Sequence, residues 1–440
     1  RFGNAKFEVL NWNETLTGNE IVSPIDRTTS PGFPLVNRKT KHLRGKQEWL
    51  GTGDDWQFDN EQIVKMAQEF EQCAVTGAVP PVVFIDQLKD ERRDLERVAQ
   101  CKTRLFALGP LVHSILFRKY FSWLDTYMKT HCIGSGSLVG IDPHSIQWTR
   151  LYNMAIAYDD SNKTGDENIA LAGDYSNFDG TLNRNLLFTM LDTLLEIAQV
   201  KPESETGIIM SALWMCLVDS LHLHKGVIYK LDHSQPSGNS ATTKINTIYN
   251  LALLDLALFR CVEKACVEKQ VPFPLDFDKQ YIIFAYGDDN FGVLKKEIRD
   301  LITPIDITNQ LAEFGHIYSD ENKKSQKSFR PLSEIGILKR KFAYDKELCH
   351  CFAPLDPNIW MEMLNWDRET EYLAKVSQLF VNCDTAHREL LCHDFDTFTS
   401  VWTNRILPAM KRFSYSPSIT FDYSTARKLI KLNAVASSSI

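Results

Sequence analysis

Aspartates close two short apolar runs that lie far apart in this 440-residue chain, and this pattern constrains the fold more than any other feature. Residues 169–173 (IALAG) have the length and composition of a buried strand and end at Asp174, with Asp179 shortly after. Residues 280–285 and 291–294 read as strands flanking Tyr286-Gly287-Asp288-Asp289-Asn290, which puts Asp288 and Asp289 in the turn. If these strands are neighbours, Asp174 and Asp288 project from one sheet edge, where their carboxylates can share hard divalent cations. Mg²⁺ favours octahedral oxygen ligation by a few carboxylates plus phosphate oxygens. Two such ions about 3.5–4 Å apart can activate an attacking 3′-hydroxyl and stabilise the leaving oxygen of an in-line phosphoryl displacement. Carboxylates suit the task because they stay ionised at neutral pH. Each piece also has a plain reading: Asp is a favoured turn residue, so Gly-Asp-Asp alone is compatible with an ordinary hairpin.

Composition sets the class. With 44% hydrophobic and 24% charged residues the chain is globular, and its length suggests about two or three domains. The net charge of -7 excludes a globally basic nucleic-acid coat, so any polyanion must be held by local clusters. The longest charge-free apolar stretch, 207–218, falls short of the roughly 20 residues a membrane span needs. The N-terminus has no signal-peptide core and no initiator Met, which reads as processing or as a fragment. Ten scattered cysteines look like reduced core residues. Cys349-His350-Cys351 with Cys383 or His387 could form a zinc site, but the spacing matches no common zinc pattern.

The segmentation predicts an α+β chain whose mixed middle is followed by an all-α end. Residues up to about 50 read as loop, with a rigid turn at 29–34 (TSPGFP) and a basic run from Arg38 to Lys46. Helices are expected at 60–74, 110–128, 143–157, 185–199, 205–221, 240–262 and 305–313. A strand is expected at 81–86, and hairpins at 223–231 and 335–343. From 356 onward the pattern is helical, with Trp360, Trp366, Tyr372 and Phe380 read as core or groove aromatics, core being favoured.

Several polar groups suit phosphate and sugar chemistry. Pro236-Ser237-Gly238-Asn239-Ser240 opens a long helix; small residues let a backbone approach a ligand, and helix N-termini favour anions. An ordinary N-cap is the alternative. Thr242 and Asn246 share a face of that helix and can hydrogen-bond a ribose hydroxyl. Lys89, Arg92, Arg93, Arg97, Lys102 and Arg104 interleave with four acids, which fits either a salt-bridged surface or a triphosphate channel. Lys102 and Arg104 share a face if their segment is a strand. A second basic group comprises Lys323, Lys324, Lys327 and Arg330, then Lys339, Arg340 and Lys341; one lysine could protonate a departing pyrophosphate while others hold a nucleic-acid backbone.

Taken in order, these segments resemble the RNA-dependent RNA polymerases of picornavirus-like positive-strand RNA viruses, over nearly the whole chain. TSPGFP (29–34) is similar to the motif that admits the template, and LKDERRDLERVAQCKTRL (88–105) to the basic fingers motif. GDYSNFDGTL (173–182), QPSGNSATTKINT (235–247) and YGDD (286–289) resemble the three central palm motifs, and ILKRKF (337–342) the primer grip. The SNFDG wording leans toward arthropod-infecting dicistrovirus- or iflavirus-like members.

The resemblance implies a right-hand fold: fingers 1–132, palm 133–181, fingers again 182–233, palm 234–345 with an antiparallel sheet flanked by helices, and a mainly helical thumb 346–440. It implies that Asp174 and Asp288, assisted by Asp289, bind Mg²⁺ (or Mn²⁺). Asp179, Ser237, Gly238, Thr242 and Asn246 would read the ribose, and Lys89, Arg93, Arg97, Lys102 and Arg104 would line the nucleotide path. Lys323 (with Lys324 as the competing alignment) would be the general acid, Thr29 and Ser30 would meet the template, and Lys339, Arg340 and Lys341 the primer end. Partners implied are template and product RNA, NTPs, a genome-linked protein primer and other viral replication proteins, at membrane-associated replication complexes in the host cytoplasm. Family enzymes usually carry a longer bridging stretch before TSPGFP than the 28 residues present here. A reverse transcriptase is the nearest rival, but such enzymes exclude the 2′-hydroxyl with a bulky side chain, whereas Asp179 and Asn246 can accept it. A non-catalytic RNA-binding replication protein is disfavoured by the intact acids, and a metal-dependent phosphohydrolase by the lack of a His-Asp cluster.

Overall fold

The computed structural model describes residues 6–40, 42–91, 93, 95–321, 327–366 and 371–436. In chain order its strands are β1 (Val83–Leu88), β2 (Leu105–Leu108), β3 (Ala170–Tyr175), β4 (Leu221–His224), β5 (Val227–Lys230), β6 (Tyr281–Tyr286), β7 (Asp289–Leu294), β8 (Tyr318–Ser319), β9 (Gly336–Ile337), β10 (Arg340–Lys341), β11 (Ala343–Asp345) and β12 (His350–Phe352). They form two four-stranded sheets, ordered β2-β1-β4-β5 and β6-β7-β3-β8, and two small ladders, β9 with β10 and β11 with β12.

The second sheet carries the acids. β6 and β7 form a hairpin whose last pair is Tyr286↔Asp289, leaving Gly287 and Asp288 as a two-residue turn. Gly287 has φ +61°, a left-handed value that glycine adopts without steric cost, and places it first in a tight hairpin turn. β3 runs antiparallel to β7, ending its ladder at Gly173↔Asn290, and is flanked on its other side by β8 through Asp174↔Ser319. Three apolar strand positions at this centre, Ala170, Ala172 and Phe291, are fully buried.

Behind the sheet lies the 28-residue helix Thr242–Lys269, whose inward residues Ile245, Tyr249, Leu254, Leu258 and Val262 are buried. It extends beyond the expected end because Val262 is followed by further inward residues, Ala265 and Cys266, before Gln270 closes it in the left-handed conformation. By length and composition alone this helix could cross a membrane, but two thirds of its most apolar window (67%) is buried inside the fold, as in a core helix.

Three cores organise the rest. The largest joins the helices Glu61–Val75, Leu111–Thr130 and Glu205–Val218 to the long helix, around the stacked rings of Phe117 and Phe121 (4.3 Å) and Trp214. A second fills the opposite face of the acid-bearing sheet, where Trp148 and Leu151 of the helix Ile146–Ile156 meet Phe284, Phe291 and Phe342. The third lies in the C-terminal part of the chain, mainly in its helices, around Trp360, Cys383, Leu390 and Trp402. Trp360 is thus core, whereas Trp366 and Tyr372 are exposed.

The N-terminal stretch departs from the expected loop. Trp12–Thr17 is a helix closed by a reciprocal Asn11–Glu14 capping box, so its six residues are set by end chemistry rather than by periodicity. Lys102 and Arg104 also differ from expectation: β2 begins only at Leu105, so no strand alternation places the two on one face. The zinc grouping does not form. Cys349 is exposed, Cys351 is buried on β12, and Cys383 lies in the third core; among the described residues no three His, Cys, Asp or Glu groups converge for a metal.

Candidate active site

The acids meet at one sheet edge. Continuing the β3–β7 register by one residue sets Asp174 beside Asp289, with Asp288 exposed at the adjoining hairpin tip. Their fields overlap. Burial, then the neighbouring Asp288 carboxylate, push Asp289 up to about 6; Asp174 adds to this, while Lys339 and the Leu338 backbone N–H oppose it. Burial likewise raises Asp179, with Asp288 reinforcing the shift and Asn246 and Lys89 opposing it. Arg104, raised chiefly by its hydrogen bond to Glu91, also feels Asp288. A carboxylate raised to about 6 by burial first and by neighbouring carboxylates second lies where negative charge is under-compensated. The donor set is all carboxylate oxygen, which suits Mg²⁺ or Mn²⁺. Because no three of these groups form a closed cage, a bound ion would take further oxygens from phosphate or water.

A buried polar network that the sequence reading missed holds this edge. Asn250 donates from Nδ2 to the carbonyls of Gly287 and Asp288, both at 3.0 Å, and its Oδ1 accepts from the Tyr175 hydroxyl at 3.2 Å. The Gly287 N–H donates to Thr247 Oγ1 at 2.8 Å. Asn290 donates to the Asp288 carbonyl at 3.2 Å and accepts from Tyr318 at 2.7 Å. A signal existed: Thr242, Asn246 and Asn250 recur every four residues along one face of the helix.

The expected sugar readers divide. Asn246 Nδ2 donates to Asp179 Oδ1 at 2.5 Å, joining the long helix to the short helix Phe178–Thr181. Asn246 is buried, and its Oδ1 has no hydrogen-bond partner, so an acceptor stands ready there. Thr242 is different: its hydroxyl is directed at the loop carbonyls of Pro236, Ser237 and Asn239 (2.9–3.3 Å), so it braces the loop. Ser237 Oγ accepts from the Ala107 N–H at 3.3 Å. Gly238 bridges to Leu108, and a Cβ at Gly238 would lie 1.8 Å from the Ala107 carbonyl oxygen. The small residues of this loop therefore admit β2, where the sequence reading expected a ligand.

The basic segment is gathered around one acid. Glu91 accepts from Arg104 Nε at 2.9 Å, pairs with Arg93 Nε at 2.8 Å and lies 3.9 Å from Lys89 Nζ. The Arg104 hydrogen bond is the main cause that holds Glu91 down at about 2. The Lys89 N–H donates to the Arg104 carbonyl at 2.8 Å, locking the two ends of the excursion together. Farther out, Arg93, Arg97 and Lys102 line a cleft of about 490 Å³ with Glu96 and Gln100.

The remaining expected residues scatter. Thr29 accepts from Lys46 Nζ, and Ser30 Oγ accepts from the Gly32 N–H at 3.2 Å, within a turn that docks on the start of the helix Leu111–Thr130 through Leu111 N–H to Pro31 O. Lys339 lies in the β9–β10 turn beside Asp289, and Lys341 is exposed on β10. Arg340 is a correction: its guanidinium makes a bidentate pair with Glu389, at 2.8 Å for each bond, and donates to the Ala353 carbonyl at 2.7 Å, so it joins the sheet region to the C-terminal helices and is not free to hold a primer. Lys323 and Lys324 lie outside the described residues.

Comparison with known proteins follows the same line. The profile of the family "Viral RNA-dependent RNA polymerase" matches residues 4–398. The replicase polyprotein of Drosophila C virus is 33% identical over 401 residues, covering 88% of this chain and 22% of the polyprotein. That of acute bee paralysis virus is 33% identical over 405 residues, covering 90% and 21%. Both sit with the arthropod leaning of the sequence motifs. The chain thus spans about a fifth of the length of these curated relatives. Among solved structures, the Sicinivirus 3Dpol RNA dependent RNA polymerase superposes with a TM-score of 0.77 at 21% identity, covering 99% of this chain and 83% of that one, which gives this chain the right-hand polymerase fold.

Proposed function

We propose that this chain, which belongs to the viral RNA-dependent RNA polymerase family, copies an RNA template by joining ribonucleotides to a primer 3′ end. The observation that carries the reading is the placing of Asp174 and Asp289 at adjoining positions of β3 and β7, with Asp288 in the adjacent turn, beside the Asp179–Asn246 pair. Asp174 and Asp288, with Asp289 alongside, would hold Mg²⁺ or Mn²⁺. When bound, the metal would neutralise phosphate charge and lower the pKa of the attacking hydroxyl. The chain's own work is positioning and charge placement. Asn246 Oδ1 accepts from a ribose hydroxyl, and Asp179 orients the Asn246 amide. Lys89, Arg93 and Arg104 exchange Glu91 for triphosphate oxygens, with Arg97 and Lys102 along the approach.

Within this reading the sheet β6-β7-β3-β8 and long helix are the palm, the β2-β1-β4-β5 sheet and its helices the fingers, and the C-terminal helices the thumb. Lys323 is assigned proton donation to pyrophosphate. Template RNA passes Thr29 and Ser30; the genome-linked protein and other replication proteins are partners, at membrane-associated complexes in the host cytoplasm. The relatives' polyprotein names support partners made in the same precursor. A reverse-transcriptase reading is less well supported, because polar Asn246 and Asp179 stand where a bulky sugar-excluding side chain would be needed.

Primer extension on a defined RNA with Mg²⁺ and NTPs tests the proposal. Extension by the wild-type chain that Asp288→Ala reduces by at least about 10³-fold, with an unchanged melting curve, is expected on the scale of losing a major charge-stabilising group. Near wild-type extension by Asp288→Ala would reject the metal role.

A further inference from the structure

The β3–β7 ladder stops at Gly173↔Asn290, one residue short of the acids it serves. Beyond that point no backbone pairing between these two strands sets how far Asp174 lies from the Asp288 turn. The Asn250 side chain spans the gap. Asn250 is fully buried (0% exposed) and uses its amide on both sides: Oδ1 accepts from Tyr175, the residue after Asp174, and Nδ2 donates to the carbonyls of Gly287 and Asp288. Thr247, also 0% exposed, takes the Gly287 N–H while its own hydroxyl donates to the Thr243 carbonyl at 2.6 Å. The turn is therefore gripped by its N–H and by two carbonyls from a single helix. Burying an amide is costly unless every bond is made, and the neighbouring inward positions Leu251, Leu253 and Leu254 are apolar.

We propose that Asn250 is the positioning residue that sets the spacing of Asp174 and Asp288, and with it their affinity for a divalent cation. Thr247 supports it by fixing the Gly287 peptide. Asn250 touches neither substrate nor metal ligand side chain; it acts through the backbone of the turn and through Tyr175. The inference rests on the polymerase reading for its purpose, but not for its test.

The direct readout is Mn²⁺ binding to the full chain without RNA or NTP, followed by water-proton relaxation enhancement. Asn250→Ala should weaken Mn²⁺ binding about tenfold, the scale found when residues supporting metal ligands are removed. Tyr175→Phe, which loses one of the three bonds, should weaken it by a smaller factor. In primer extension the Mg²⁺ concentration for half-maximal rate should rise in parallel while the KM for NTP at saturating Mg²⁺ stays unchanged, a split that general loosening of the fold would not produce. Wild-type Mn²⁺ affinity and Mg²⁺ requirement in folded Asn250→Ala would overturn the proposal. If that variant fails to fold, Tyr175→Phe decides on the same two readouts, and wild-type values there overturn it equally. A wild-type chain that binds Mn²⁺ but extends no primer would instead defeat the polymerase reading and leave the positioning role standing.

Discussion

Asn246 carries the sharpest expectation at the scale of single residues. Its Nδ2 is committed to Asp179 and its Oδ1 is buried without a partner, so a ribose hydroxyl would complete it. Asn246→Ala should reduce the preference for NTPs over dNTPs by about tenfold or more, since a site built to hydrogen-bond a hydroxyl discriminates by leaving its own buried group unpaired. Competing incorporation of NTP and dNTP measures this directly, and unchanged selectivity would remove Asn246 from sugar recognition. The residues that were legible in sequence are those whose chemistry is conspicuous in a short motif: Asp174, Asp179, Asn246, Asp288 and Asp289. Those that were not, Thr247, Asn250 and Tyr175, act through bonds to backbone groups distant in sequence. Arg340 shows the converse limit. Its charge was plain, but its bidentate partner Glu389 lies on a helix far along the chain, and only the fold brings them together.

Among elements, the contact between β2 and the 236–240 loop matters most. Ser237 and Gly238 fasten the loop that opens the long helix to the strand that follows the basic segment. On the proposed function, sugar reading and phosphate holding are therefore mechanically joined. Gly238→Ala should push the two apart, because its Cβ would meet a backbone oxygen at 1.8 Å and neither backbone can yield cheaply. The expected result is a lowered melting temperature together with slowed nucleotide incorporation. A variant that melts and extends like wild type would show that the contact is dispensable. Periodicity located most helices and both hairpins to within a few residues. It failed for Trp12–Thr17, which is too short to show a period and is held by capping instead, and it could not show that Lys102 and Arg104 precede β2.

For the molecule as a whole, pH acts through buried histidines. Burial holds His113, His316 and His387 at about 4, below the ordinary value of about 6.5. Each is neutral in the folded chain and protonates more readily when unfolded. Their contribution to stability is complete above about pH 6.5 and is lost as pH falls from there toward 4. Asp289, held near 6, and Asp179, also raised by burial, work in the opposite sense, two carboxyls against these three rings. Melting temperature should accordingly fall with increasing steepness between pH 6.5 and 4.5; a flat profile would show that these rings are not buried neutral. Glu389 belongs to a lower window. Burial alone would raise it, but His144 and Arg340 outweigh that and hold it at about 2, so its contribution is present above about 4.5 and disappears as pH drops toward 2. The three cores were not separable from composition, because only the packing divides them.

Asn246, proposed to read the sugar, and Thr247 and Asn250, which hold the turn, occupy one stretch of a single helix. On the proposed function, escape from a ribose-modified nucleoside by reshaping Asn246 would disturb the acidic turn whenever it shifted that helix. Escape at this position should carry a replicative handicap, and second-site changes that restore fitness should gather around the same helical turn.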